Sequence, residues 1–246
     1  MSVVLPQELI ERLAAARRVA VLTGAGISAE SGIPTFRDAL AGLWANYDPQ
    51  ELATPEGFAR NPKLVWEWYA ERRARIAGVQ PNPGHLALAA LERRFEQFTL
   101  VTQNIDSLHQ RAGSHAVVEL HGNIARVKCS VEETVVSEFH ADESPPRCPC
   151  GAFLRPDVVW FGEMLPAGAL ARAEAAAERC EVFFSIGTSA EVYPAADLPL
   201  RALSAGATVV EINPERTPLT RHAHFALHGP AGKVLPALLE KLSLIS

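Results

Sequence analysis

The sequence predicts an α/β fold, a Rossmann-like parallel sheet with helices on both faces. The first observation is a set of short apolar runs, Val19–Thr23, Phe98–Thr102, Val117–Leu120, Val182–Ile186 and Val209–Ile212, which read as strands buried on both faces. The second is their alternation with helical patterns at Gln7–Ala16, Leu64–Ala77, Gly84–Phe95, Ala169–Glu178, Ala195–Ala205 and Lys233–Leu242. The third is that the first strand runs directly into the glycine-rich turn Gly24-Ala25-Gly26. Two stretches break the alternation. Asp38–Gln80 is helical and aromatic, and Ile124–Phe153 is polar and holds Cys129, Cys148 and Cys150.

Composition sets outer limits. With 246 residues and 48% apolar side chains the chain can bury a large core around one α/β unit with a subdomain. A formal net charge of −5 leaves no general basic surface, so direct nucleic-acid binding is not expected, whereas basic protein tails suit it as partners. No run reaches the ~18 apolar residues of a membrane span, and Met1–Arg18 lacks the apolar core of a secretory signal. The expectation is a cytoplasmic protein, with no membrane partner, whose four cysteines stay reduced.

In the segment Val21–Arg37, Gly24 and Gly26 lack the Cβ that would block a tight turn, and Ala29 fills the third small position of a G-x-G-x-x-G/A pattern. Backbone amides there suit a pyrophosphate, although such a turn after a strand is often only a turn. An ordinary dinucleotide-binding dehydrogenase has an acidic residue about 20 positions on, at the end of a second strand. Here Ala39–Gln50 carries no β-branched run, and Asp48 lies in a polar loop. The chain instead spends these residues on a loop bearing Phe36, Arg37 and Trp44, able to fold over a cofactor. Further along, Asn104 and Asp106 follow a buried strand, where they either point into a crevice or cap a helix starting near Ser107. His121 closes the strand before Gly122, while His85 and His109 lie in helical patterns and read as structural.

Taken together, the segment Val21–Arg37, Gln103-Asn104-Ile105-Asp106, His121-Gly122, Gly187-Thr188-Ser189 and Asn213-Pro214-Glu215 resemble the motifs of the sirtuins, the NAD-dependent protein deacylases. The resemblance covers nearly the whole chain. It implies a large Rossmann-like domain from residues 1–37, 81–123 and 154–246, and a small helical, zinc-ribbon-like domain from 38–80 and 124–153. It implies NAD as a consumed co-substrate and acylated lysine peptides as partners. The acyl oxygen attacks the nicotinamide ribose, nicotinamide leaves, a base deprotonates a ribose hydroxyl, and water finally releases lysine and O-acyl-ADP-ribose. By that resemblance His121, Asn104 and Asp106 are catalytic, and a histidine suits the base because it titrates near neutrality. Gly24, Ala25, Gly26, Ala29, Glu30, Phe36, Arg37, Gln103, Asn104, Ile105 and Asp106 would line the cofactor site, with Gly187, Thr188, Ser189, Asn213, Pro214, Glu215 and Ala231 toward adenosine. Val159-Trp160-Phe161-Gly162-Glu163 resembles the segment that pairs with substrate peptide, and also reads as a core strand burying Trp160 and Phe161.

Tyr69 and Arg72 stand three apart on one helix face, and Tyr-x-x-Arg resembles the pair in sirtuins that act on succinyl, malonyl and glutaryl lysine. The family's zinc is held by two Cys-x-x-Cys pairs. This chain has Cys129, Glu132 in place of the second cysteine, and a shortened Cys148-Pro149-Cys150. Three thiolates with Glu132, Glu133 or His140 would complete a site; the alternative is a ribbon that has lost its metal, and the expectation is zinc below full occupancy. Two other functions stay open beside deacylation, an NAD-consuming ADP-ribosyl transferase or glycohydrolase, and a weakly active NAD-sensing module.

Overall fold

The computed structural model describes residues 4–34, 48–139 and 143–244. Along the chain the strands are β1 (Arg18–Thr23), β2 (Gln97–Thr102), β3 (Val117–Glu119), β4 (Gly122–Cys129), β5 (Val135–Val136), β6 (Leu154–Val158), β7 (Val182–Ile186), β8 (Thr208–Asn213) and β9 (Phe225–His228). The helices are α1 (Gln7–Ala15), α2 (Ala25–Ala29), α3 (Pro49–Leu52), α4 (Pro55–Arg60), α5 (Pro62–Ala77), α6 (Pro83–Glu92), α7 (Leu108–Arg111), α8 (Ala167–Arg179), α9 (Leu198–Ser204) and α10 (Ala231–Ser243).

Six strands form one sheet in the order β3-β2-β1-β7-β8-β9. Every neighbouring pair in it is parallel. Alternation along β1 shows how both faces are covered. Val19 and Val21 pack into a core with Leu9 and Leu13 of α1, Leu88 of α6 and Leu235 of α10. Ala20 and Leu22 pack on the opposite face with Ala173 and Ala177 of α8 and Ala202 of α9. The strand order reverses between β1 and β7, and at such a switch point the loops part to leave a crevice at the carboxyl ends of the strands.

The second sheet is antiparallel, β5-β4-β6. Residues 154–158 form β6, which pairs with β4 in this smaller sheet. Sequence patterning did not anticipate β4 or β6, whose sides differ in polarity, and Pro156 sits within β6. Proline is tolerated there because β6 is an edge strand. Leu52, Phe58, Val65, Trp68 and Tyr69 of α3 to α5 share a core with Ile124, Val158 and Trp160. Helix α5 begins where Asn61 Oδ1 accepts the Leu64 N–H at 3.1 Å, with Pro62 in the first turn.

Candidate functional site

The β1–α2 turn meets the end of β7 at the switch point. A Cβ on Gly24 would lie 2.7 Å from the Gly187 carbonyl oxygen, and one on Gly26 would lie 2.7 Å from Gly187 Cα. Gly187 itself has φ +61. These glycines are therefore required first by the chain's own backbone. The N–H groups of Gly24 and Gly26 are accepted by Ile186 and Gly187 carbonyls at 3.0 and 2.9 Å, so these two amides are engaged within the chain. Helix α2 is only five residues long, which leaves little macrodipole at its start.

Behind the turn lies a buried polar network. The Ser28 hydroxyl donates to Asp106 Oδ2 at 2.7 Å, and Asn104 Nδ2 donates to Gly24 O and Ser28 Oγ at 3.0 and 3.2 Å. Asp106 Oδ1 accepts the Leu108 N–H at 2.9 Å, as the capping reading expects. Burial raises the Asp106 carboxyl above its ordinary range, against the pull of those two hydrogen bonds. His85 Nδ1 accepts the Asn82 N–H, which leaves its Nε2–H facing Ser28 Oγ at 3.4 Å. His109 Nε2 lies 2.9 Å from Thr23 Oγ1, and the two rings are 4.9 Å apart. Desolvation pushes His85 down to about 4 and His109 to about 3, so both stay neutral. Ser28 was not singled out in the sequence, although a buried polar residue just past a glycine turn is a usable signal.

His121 follows β3 and is fixed through its Nδ1, 2.9 Å from the Gln103 carbonyl oxygen. A carbonyl only accepts, so Nδ1 carries the proton and Nε2 is the open lone pair. Burial holds the imidazole below its usual value, partly offset by that carbonyl. Gly122 cannot be replaced: its φ is +77, and a Cβ would stand 2.1 Å from Asp157 O. Ile105 is tied to the next strand by its carbonyl, which accepts the Ile124 N–H at 2.9 Å.

Toward β8, Asn213 Nδ2 donates to Thr188 O at 2.7 Å, and Thr188 is buried beside Ser185. Ser189 is half-buried, whereas Pro214 and Glu215 are exposed beyond the strand end. Glu30 accepts the Gly232 N–H at 2.8 Å next to buried Ala231, so its carboxylate caps the start of α10. Phe36, Arg37, Trp44 and His140 lie outside the described residues.

On the small-domain side, Tyr69 and Arg72 rise from α5. The Arg72 guanidinium sits 4.5 Å over the Trp68 ring, and its Nε is buried without a hydrogen-bond partner. Among the described residues no carboxylate pairs with it, and desolvation lowers its pKa. The segment Val159–Glu163 is a turn after β6 rather than a strand. Trp160 is 3% exposed but Phe161 is 48% exposed, so only half of the core-strand reading survives. The N–H groups of Val159, Trp160, Phe161 and Glu163 are accepted by His121 O, Glu163 Oε2, Ala53 O and Trp160 O. The φ of Gly162 is +87, which makes the turn.

Three of the four cysteines come together. Ligand atoms of Cys129, Glu132, Cys148 and Cys150 all lie within 4.8 Å of one another. The shortened spacing is accommodated by a tight turn in which Gly151 has φ +91 and Cys148 N donates to Ala152 O. Such a set fits tetrahedral zinc with three sulfurs and one oxygen. Glu133 lies outside it, and Cys180 is buried alone, its thiol donating to Ala177 O at 3.2 Å. No helix of the described residues is long and apolar enough to cross a membrane.

The family model described as Sir2 family matches residues 24–194. Curated relatives include an NAD-dependent protein deacylase of Methylococcus capsulatus, 52% identical over 245 residues and 96% of either chain. Another, from Ralstonia nicotianae, is 55% identical over 230 residues and 92% of either chain. Among solved structures, a Sir2 homologue in complex with NAD superposes with a TM-score of 0.92 at 45% identity, covering 99% of this chain and 96% of that one. A Sir2 protein bound to a p53 peptide and NAD+ gives 0.86 at 33% identity, covering 99% and 100%.

Proposed function

The chain belongs to the Sir2 family, and from that premise we propose how its residues divide the work and which acyl group it prefers. It is an NAD-dependent protein-lysine deacylase that releases nicotinamide and O-acyl-ADP-ribose. Its partners are NAD and acylated lysine peptides. Bound NAD supplies an electrophilic ribose carbon and the ribose hydroxyl that takes up the acyl group.

In this reading the Nε2 of His121 takes the proton of that hydroxyl. The support is its fixed tautomer, with Nδ1–H spent on Gln103 O. Asn104 and Asp106, braced by Ser28, hold the carboxamide and a water at the crevice floor. The ends of β7 and β8, with Gly187, Thr188, Ser189 and Asn213, meet the adenosine half. Zinc would be held by Cys129, Cys148, Cys150 and Glu132, where it cross-links the tip of the small sheet and takes no part in the chemistry. Four free thiols accord with a reducing, cytoplasmic setting.

The preferred acyl group is acidic, succinyl or malonyl over acetyl. The observation that carries this is Arg72, a desolvated guanidinium with no carboxylate partner among the described residues. An uncompensated buried cation is costly, and the distal carboxylate of a succinyl chain supplies the missing charge with bidentate geometry. Replacing Arg72 with Met, similar in length and uncharged, should lower kcat/KM for succinyl peptide by about 10- to 100-fold while deacetylation is equal or improved. Equal losses on both substrates would show that Arg72 only supports the fold.

A further inference from the structure

The indole of Trp160 is held on every side. Its ring lies 5.3 Å from Phe58 and 6.3 Å from Tyr69, and the Arg155 guanidinium stacks on it at 3.3 Å from the centroid. Arg155 is itself 4% exposed, donates to Val158 O at 2.9 Å, and pairs through both terminal nitrogens with Glu163, at 2.9 Å for the second. Glu163 also accepts the Trp160 backbone N–H at 2.8 Å, and its carboxyl is kept low, against burial, by the charge and hydrogen bonds of Arg155. Main chain and ring of Trp160 are thus clamped by one buried ion pair. A lone charged residue in the run Leu154-Arg155-Pro156 is the only sequence sign of it.

What this clamp presents is a donor. Trp160 Nε1 lies 3.1 Å from the Tyr69 hydroxyl, and the two side chains are both buried. An indole N–H donates and never accepts, so the phenol oxygen is the acceptor in this contact. The single phenolic proton is then left for another acceptor, and none takes it among the described residues. Burial pushes Tyr69 up to about 12, so the proton stays on the oxygen at any working pH. Arg72 lies one helical turn away with no anion of its own.

Resting on the reading that Tyr69 and Arg72 meet an acidic acyl group, we propose that Trp160 is a specificity-determining residue that acts through Tyr69: its indole N–H occupies the phenol oxygen and aims the O–H proton at the acyl carboxylate. Trp160 is a positioning residue in this role and needs no contact with the carboxylate. Without the indole N–H the phenol oxygen loses its buried donor and the O–H is no longer fixed in one orientation, so its hydrogen bond to the carboxylate is weaker. The device favours a succinyl or malonyl chain and gives nothing to an acetyl group, which does not reach the hydroxyl.

The test is a double-mutant cycle on the full chain with NAD and two peptides of one sequence, succinylated or acetylated at the same lysine. Wild type, Trp160→Phe, Tyr69→Phe and the double variant are compared by the ratio of succinyl to acetyl kcat/KM, which cancels general losses. Each single change should lower the ratio by about 3- to 10-fold, the worth of one neutral hydrogen bond, and the double variant should fall no further than Tyr69→Phe alone. A Trp160→Phe ratio equal to wild type, or a further drop in the Tyr69→Phe background, overturns the proposal. A Tyr69→Phe ratio equal to wild type overturns the acyl reading beneath it, a different failure. Should Trp160→Phe not fold, benzothienylalanine at position 160 keeps the shape of the indole, replaces N–H by sulfur, and must give the same ratio.

Discussion

His121 shows how one backbone contact sets the chemistry of a side chain. Gly122, forced by its φ and by Asp157 O, turns the chain so that the His121 carbonyl accepts the Val159 N–H and the ring meets Gln103 O. The resulting tautomer leaves the Nε2 lone pair open for the proposed role of base, and burial keeps it unprotonated to a lower pH than a free imidazole. Two outcomes are expected. His121→Ala should abolish turnover while NAD still binds, as read by calorimetry, because the base acts after the cofactor docks. In the wild type, the acidic limb of kcat/KM against pH should fall below 6.5, where the neutral form is finally lost. Turnover by His121→Ala within a few-fold of wild type would remove the histidine from this role. The motif pair His121-Gly122 was legible in the sequence, but its physical reason, a left-handed glycine under a carbonyl, needed three dimensions.

The strands on which the site stands were the easiest elements to read. β1, β2, β7 and β8 are apolar because parallel strands are covered on both faces, and their ends fall within a residue or two of the expected limits. β9, Phe225–His228, is too short to stand out, and β4 and β6 alternate irregularly across a register shift between Asn123 and Val127. The cysteine cluster belongs to this level too. From spacing alone, Glu132 and the Cys-x-Cys pair suggest a failing metal site; the turn at Gly151 instead brings both sulfurs to Cys129. Metal analysis of the purified protein should find one zinc per chain, lost in Cys129→Ala. X-ray absorption should show sulfur at about 2.3 Å and oxygen at about 2.0–2.2 Å. Glu132→Ala should weaken zinc at least by the 10- to 100-fold typical of lost outer partners, and Glu132→Cys should strengthen it. Metal-free protein that melts like the wild type would instead favour the decayed ribbon.

Across the whole molecule, the switch point packs two glycine turns against each other with a neutral histidine pair beneath, and this has a consequence for stability. Unfolded, His85 and His109 take up a proton near pH 6.5; folded, they do so only near 4 and 3. Between those values the unfolded chain binds more protons, so the stability present above pH 6.5 is lost as pH falls, by up to about 1.4 kcal/mol per pH unit for each histidine. Urea midpoints measured from pH 7.5 to 5 should decline along that slope. His109→Gln, which keeps a donor for Thr23, should flatten it by roughly half, and an unchanged slope would mean that the pair is hydrated in solution. That both histidines lie in helices was readable from the sequence. Their mutual contact at 4.9 Å was not, because it joins α6 to α7 across a sequence gap that no local pattern spans.

In the proposed function this fold joins NAD cleavage to removal of an acidic acyl group from lysine. The most direct measurement incubates the protein with NAD and with succinyl-, malonyl-, acetyl- or unmodified peptide, following nicotinamide and the product masses. Nicotinamide release is expected only with acylated peptide, in equal amount to free lysine peptide and O-acyl-ADP-ribose, and faster for succinyl than for acetyl. Nicotinamide released at the same rate without an acyl-lysine, or ADP-ribose transferred to protein in its place, would contradict it.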